Sequence, residues 1–214
     1  MSLEQILAKH KIVPVVVIDD AADAVPLARA LARALVSGGL PIAEVTFRTP
    51  AAKASIQAMK AAFPTMLVGA GTILTETMAD EALDAGADFL VMPATDEALI
   101  RHALDRHAPV CPGVMTPSDV QTCDRLGLRL VKLFPAEPAG GLARIQAMSA
   151  PYPFMRFMPT GGIGLKNMNA YLRSGSVVCV GGSWMVKKEW IAAGQFEKIE
   201  EKTREAVRAL EEEV

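Results

Sequence analysis

The chain has little of what marks the specialised protein classes. Its 22 lysines and arginines stand against 24 aspartates and glutamates, a formal net charge of −2, and no basic tract occurs. Binding to a phosphate backbone needs clustered cations, so nucleic acid is not an expected partner. The opening stretch MSLEQILAKHKIVPVVVIDD meets charge early, and its short apolar run closes at Asp19 and Asp20 with no small-residue cleavage site. Neither a secretory signal nor a membrane span is expected from it. The three cysteines, Cys111, Cys123 and Cys179, are odd in number and far apart among apolar neighbours. Buried reduced thiols in a cytoplasmic protein are the expectation, not a disulfide framework. Histidine is equally scarce: besides His10 there are only His102 and His107, both on a predicted outer helix. No divalent-metal cluster emerges, and no cofactor is expected.

What the chain does have is apolar mass. Hydrophobic residues make up 51% and charged residues 21% of 214 positions, with 16 glycines and 14 prolines. That supports a compact core and argues against disorder. No linker or shift in composition divides the chain, so residues 1–214 are expected to form one domain. Its partner is expected to be a small molecule.

Eight apolar, β-branched runs of strand length recur at Val13–Ile18, Ile42–Phe47, Met66–Val68, Phe89–Met92, Pro109–Cys111, Leu128–Phe134, Phe154–Met158 and Val177–Val180. Ala-rich amphipathic stretches such as 21–36, 51–62 and 96–106 lie between them, with glycine turns such as Ser37-Gly38-Gly39 and Ala85-Gly86-Ala87 after the helices. A final amphipathic helix over 195–214 ends in a solvated EEEV tail. Strict alternation of strand and helix gives a parallel sheet, and eight such units close into a single (β/α)8 TIM barrel of the α/β class. An open doubly wound sheet is the runner-up, but it usually carries long insertions for which 214 residues leave no room.

In parallel barrels the loops after the strands form the active face, so the strand C-termini hold the informative residues. In the second run, the period of two puts Ile42, Glu44, Thr46 and Arg48 on one face and Ala43, Val45 and Phe47 on the other. The apolar set should meet helices, leaving Glu44 inside the barrel and Arg48 about 13 Å further along, at the mouth. In the sixth run the same parity turns Leu130, Lys132 and Phe134 inward, and Pro135 ends the strand. A buried ammonium is costly, so Lys132 should either pair with a carboxylate such as Glu44 or shift toward its neutral, nucleophilic form. The plainer alternatives are a lysine that snorkels to the rim or an inert ion pair, a Glu44 that merely partners it, and an Arg48 that is a surface charge.

Two glycine-rich turns follow the seventh and eighth runs, Pro159-Thr160-Gly161-Gly162-Ile163 and Val180-Gly181-Gly182-Ser183-Trp184. Glycine lets backbone N–H groups approach an oxyanion, a following helix adds partial positive charge, and Ser183 can donate a hydrogen bond. Two such turns on neighbouring strands point to a phosphate site. The turn Val68-Gly69-Ala70-Gly71-Thr72 is too short for a nucleotide fingerprint, and is read as letting a ligand approach the mouth. With no metal cluster to polarise a carbonyl, an iminium on Lys132 supplies the electron sink.

The stretches Glu44-Val-Thr-Phe-Arg48, Gly69-Ala-Gly-Thr72, Lys132-Leu-Phe-Pro-Ala-Glu137, Pro159-Thr-Gly-Gly-Ile163 and Gly181-Gly-Ser-Trp184 together resemble the bacterial KDPG/KHG aldolase family, whose members cleave 2-keto-3-deoxy-6-phosphogluconate. The resemblance runs in register over nearly the whole chain. It implies that Lys132 is the Schiff-base lysine and Glu44 the general acid/base working through water, and that Arg48 and Thr72 hold the keto-acid carboxylate. It further implies that Pro93, Phe134 and Thr160 line the pocket, that Gly161, Gly162, Gly181, Gly182 and Ser183 bind phosphate, and that the protein is a homotrimer acting on a phosphorylated keto acid and pyruvate. Two positions depart from the pattern: Pro93-Ala94-Thr95 stands where relatives commonly have Pro-Gly, and Pro138 follows the lysine motif. The rival readings are an aldolase for the galactonate epimer, a phosphosugar isomerase or epimerase, and a sugar-phosphate sensor without catalysis.

Overall fold

A computed structural model of the chain describes residues 2–19 and 22–211. The strands are β1 (Ile12–Val16), β2 (Ile42–Thr46), β3 (Leu67–Gly71), β4 (Phe89–Val91), β5 (Val110–Cys111), β6 (Gly113–Val114), β7 (Leu130–Leu133), β8 (Arg156–Pro159) and β9 (Val180–Gly182). The helices are α1 (Leu3–His10), α2 (Ala24–Ser37), α3 (Ala52–Ala62), α4 (Glu76–Asp84), α5 (Glu97–Asp105), α6 (Pro117–Arg125), α7 (Gly141–Ser149), α8 (Met168–Leu172), α9 (Lys188–Ala192) and α10 (Phe196–Glu211).

All strand pairs are parallel, in the order β5-β4-β3-β2-β1-β9 and, separately, β6-β7-β8. Single bridges at Phe157–Val177 and Thr160–Gly181 join β8 to the β9 segment, so the strands close into a TIM barrel. The expected eight positions hold, with the fifth split in two. Pro112, which has no N–H to give, separates β5 from β6, although its carbonyl still accepts from Lys132 N–H at 2.8 Å.

Several bounds differ from the sequence reading. Gly69–Gly71 are strand residues of β3, not a turn, because the strand runs to Gly71 in unbroken register with β2. Gly181 and Gly182 likewise sit within β9, paired with Val13 and Pro14 of β1. Phe154 lies outside β8 and is exposed. His107 lies past the end of α5 in a left-handed conformation, whereas His102 is on that helix as expected. Helix α1 was not foreseen; Ser2 and Gln5 form a reciprocal capping box at its start. The EEEV tail lies outside the described residues except for the backbone of Glu211.

Strand parity sorts the core into two layers. Ala43, Val45, Val131 and Leu133 pack outward against the helices. Val13, Ile42, Phe89, Leu130, Met158, Cys111 and Cys179 fill the lumen, joined by Leu7 of α1, which closes the strand N-terminal end. At Gly69, space for a side chain is taken by the Phe89 ring, 2.2 Å from where a Cβ would stand. Threonine and aspartate caps at Thr75, Asp96 and Thr116 start α4, α5 and α6, fixing where each loop from the strand C-termini ends. No helix among the described residues is long and apolar enough to cross a membrane.

Candidate active site

Lys132 and Glu44 enter the barrel from β7 and β2, 88 residues apart in sequence. Lys132 Nζ donates to Glu44 Oε1 at 3.0 Å, with Oε2 at 3.5 Å. Their residues are 5% and 1% exposed, so the snorkelling alternative is ruled out. Of the two fates the sequence left open for Lys132, pairing is the one observed. The Phe134 ring, half-buried just past the strand end, lies 5.3 Å from Nζ and narrows the approach to it. Gly113, in register with Lys132, leaves room for the Pro93-Ala94 backbone, whose Pro93 oxygen lies 2.2 Å from where a Cβ would stand. Thr95 donates to Gly113 O at 2.7 Å and so pins the loop whose composition departs from the family pattern.

Arg48 and Thr72 meet at the mouth, where Arg48 Nε donates to Thr72 Oγ1 at 3.2 Å. Phe47 N–H to Gly71 O at 2.7 Å carries the β2–β3 pairing up to this point. Thr72 has φ 59, an outlier for a β-branched residue, and such strain persists only where the surroundings impose it. Here it turns the hydroxyl toward the exposed guanidinium.

The two glycine-rich segments lie side by side on the far rim. Gly161 (φ 100) and Gly162 (φ 82) hold conformations closed to most side chains. The loop after the Lys132 strand is stitched to this segment: Ala136 N–H donates to Thr160 O at 2.8 Å and Glu137 N–H to Gly161 O at 3.0 Å. Tyr171 O–H donates to Glu137 Oε1, and Asn167 holds Gly162 O at 3.0 Å. The expected helix N-termini do not back these turns. The next helices, α8 and α9, are five residues each and begin only at Met168 and Lys188, so any anion here would rest on loop amides and Ser183.

Thr160 is 5% exposed, and its hydroxyl has no hydrogen-bond partner among the described residues. It occupies the space above Gly181, 2.2 Å from where a Cβ would be. An unpaired buried hydroxyl costs about 1–3 kcal/mol, which a ligand group would offset. Elsewhere a recess of about 530 Å³ is lined by Val15 of β1, Val17 just past its end, Ser183, and 186–189. Lys187 in this recess escaped the sequence reading; the Lys187-Lys188 pair after the Gly-Gly-Ser-Trp motif was the available signal. Lys188 lies 3.6 Å from Asp19, and Lys187 lies over the Trp190 ring.

Beneath the pair, burial pushes the Cys111 thiol well above its usual range, with Cys179 adding to the rise, and raises Cys179 as well. Cys123, behind the barrel, is pushed up to about 11 by burial. All three are free and buried. Thiols so placed are packing groups, not nucleophiles.

A closed parallel barrel that buries one lysine against one carboxylate, with Arg48 and two glycine-rich segments at its mouth, is the arrangement that lysine-based carbonyl chemistry on a barrel requires. Comparison with known proteins gives the family. Residues 3–202 match the KDPG and KHG aldolase family model. The 2-dehydro-3-deoxy-phosphogluconate aldolase of Treponema pallidum is 40% identical over 199 residues, 93% of each chain. The KDPG aldolase of Legionella pneumophila, solved with pyruvate captured as a covalent carbinolamine, superposes with a TM-score of 0.89 at 35% identity, covering 96% of this chain and 98% of that one. The Zymomonas mobilis enzyme, solved with 3-phosphoglycerate, gives 0.85 at 41% identity over 95% and 94%. The chain belongs to the KDPG/KHG aldolase family and is an aldolase, a lyase.

Proposed function

We propose that this aldolase cleaves 2-keto-3-deoxy-6-phosphogluconate to pyruvate and glyceraldehyde 3-phosphate, working as one barrel domain in a cytoplasmic homotrimer. The observation that carries the reading is the 3.0 Å contact between Lys132 Nζ and Glu44 Oε1 in the barrel interior. Lys132 gives up a proton to Glu44 and attacks the C2 ketone. Loss of water from the carbinolamine, with Glu44 supplying the proton, leaves a protonated imine. The C4 hydroxyl proton passes to Glu44 as the C3–C4 bond breaks, and the electron pair of that bond settles into an enamine. Reprotonation at C3 and hydrolysis of the imine free pyruvate and restore the lysine. Positioned proton transfer of this kind contributes about 10² to 10⁴ in rate.

In this reading Arg48 and Thr72, hydrogen-bonded to each other at the mouth, take the keto-acid carboxylate, and Pro93 and Phe134 wall the pocket. On the same reading Gly161, Gly162, Gly181, Gly182 and Ser183 hold the phosphate. The unpartnered Thr160 hydroxyl favours a hydroxylated substrate chain, and the gluconate over the galactonate epimer, whose aldolases tend to carry an apolar residue there. Cleavage of the unphosphorylated 4-hydroxy-2-ketoglutarate uses the same imine and lacks only the phosphate contacts. Borohydride reduction with pyruvate, followed by peptide mass spectrometry, is expected to place the adduct on Lys132. An adduct elsewhere, or none, sinks the mechanism, as an isomerase or a sensor would leave that lysine unlabelled.

A further inference from the structure

We propose that Gly71 is a positioning residue for the reaction: its missing side chain is the space in which the Glu44 carboxylate lies while it reaches Lys132. A Cβ built on Gly71 would stand 2.2 Å from Glu44 Oε1, 2.7 Å from Cγ and 2.8 Å from Cδ. The collision involves the whole outer half of the side chain, so a small turn of the carboxyl group does not relieve it. Glu44 has little freedom to retreat, being 1% exposed and held by Lys132 through the same Oε1 at 3.0 Å. Nor does the backbone of Gly71 move freely, because it is paired with Thr46 and its carbonyl accepts from Phe47 N–H at 2.7 Å.

The requirement is for room and not for backbone freedom. Gly71 is absent from the glycines with positive φ, so alanine suits its conformation. The two glycines of β3 therefore serve different ends: Gly69 admits Phe89 to the lumen packing, and Gly71 admits the acid/base. An alanine at 71 pushes the carboxylate off its line to Nζ and weakens the proton transfers while leaving the lysine and the rim anchors in place.

This inference rests on Glu44 being the acid/base, and its test separates the two claims. Wild type, Gly71→Ala, Glu44→Ala and the double variant are compared by thermal melting and by steady-state cleavage. Gly71→Ala is expected to lower the melting temperature of the wild-type chain but to cost nothing further once Glu44 is alanine, because the group it strikes is gone. Its kcat should fall on the order of 10²-fold with a much smaller change in KM, and the double variant should be no slower than Glu44→Ala alone. Equal thermal cost in both backgrounds, or an unchanged kcat in Gly71→Ala, overturns the proposal. If Gly71→Ala alone does not fold, a folded double variant upholds it and an unfolded one overturns it. Absence of turnover in the wild-type chain would instead overturn the functional reading, with the melting comparison still deciding what Gly71 does.

Discussion

The two ends of the site are built in opposite ways. At the end proposed to take the keto acid, Lys132 and Glu44 are buried strand residues whose direction is dictated by the pleat and whose geometry is fixed by barrel closure. At the end proposed to take the phosphate, Gly161, Gly162 and the exposed Ser183 lie on the rim, where shape depends on loop hydrogen bonds. A fixed, water-poor interior suits bond making, since proton transfer fails if donor and acceptor drift by an ångström. A rim of amides suits an anion that must enter and leave. Chemistry and affinity should therefore be separable by mutation.

The largest expected effect is at the buried end. Lys132→Ala should abolish cleavage and pyruvate trapping, and should also leave the Glu44 carboxylate buried without its ammonium. Breaking a buried pair costs about 3–5 kcal/mol, so the variant should keep the circular dichroism of an α/β barrel but melt well below wild type. A Lys132→Met, Glu44→Leu double variant should recover much of that loss while remaining inactive; no recovery would mean that the pair is not what the single variant disturbs. Glu44→Gln, nearly isosteric, should lower kcat by about 10² to 10⁴ with a smaller change in KM. A pure KM effect would place Glu44 in binding instead.

At the rim the effects should be smaller and of another kind. Ser183→Ala removes one hydrogen bond to a charged group, worth about 1.5 kcal/mol, so KM for the phosphorylated substrate should rise about tenfold with the rate of pyruvate trapping unchanged. A matching loss in trapping would break the division between the two ends. Thr160→Val should act on epimer choice: the ratio of kcat/KM for the gluconate over the galactonate substrate is expected to fall by about five- to tenfold, one neutral hydrogen bond's worth. An unaltered ratio would remove Thr160 from substrate discrimination.

The same contrast explains what was legible before the fold was seen. A period of two sets Glu44 and Lys132 on the face opposite the helix-packing residues, and the expected barrel makes that face the lumen; a slip of one residue would bury Ala43 and Val131 on the wrong face. The rim was less legible. Gly-Gly reads as a turn whether it ends a strand or lies within one, so Gly181 and Gly182 were placed outside β9, and Gly69 and Gly71 outside β3. What Gly69, Gly71 and Gly181 accommodate, namely Phe89, Glu44 and Thr160, depends on contacts between distant segments that no local pattern encodes, whereas Gly182 makes room for the nearby Trp184 ring. The split at Pro112 had a local signal in the proline itself, but the two halves are two residues each, shorter than periodicity can register. Helix α1 has a local signal in the capping box at Ser2 and Gln5, but it is only eight residues long and runs directly into the stronger apolar pattern of β1.

The smallest expected effect lies at the opposite pole of the barrel from the chemistry. His10 ends α1, where partial burial, with Lys9 adjacent, holds its pKa below the usual 6.5. The unfolded chain, titrating near 6.5, then binds more protons than the folded one in the interval below that value, so stability rises with pH across it and falls on acidification. Helix α1 contributes Leu7 to the lumen, and protonation of His10 should therefore loosen the floor of the barrel. Thermal melts between about pH 7.5 and 5 should show a modest decline that is shallower in His10→Gln. Imine trapping at matched pH should not distinguish the two proteins, since the group lies at the strand N-termini and the lysine reacts near the other end. Equal slopes in the melts would free His10 of any part in acid lability, and a difference in trapping would show that floor and mouth are coupled.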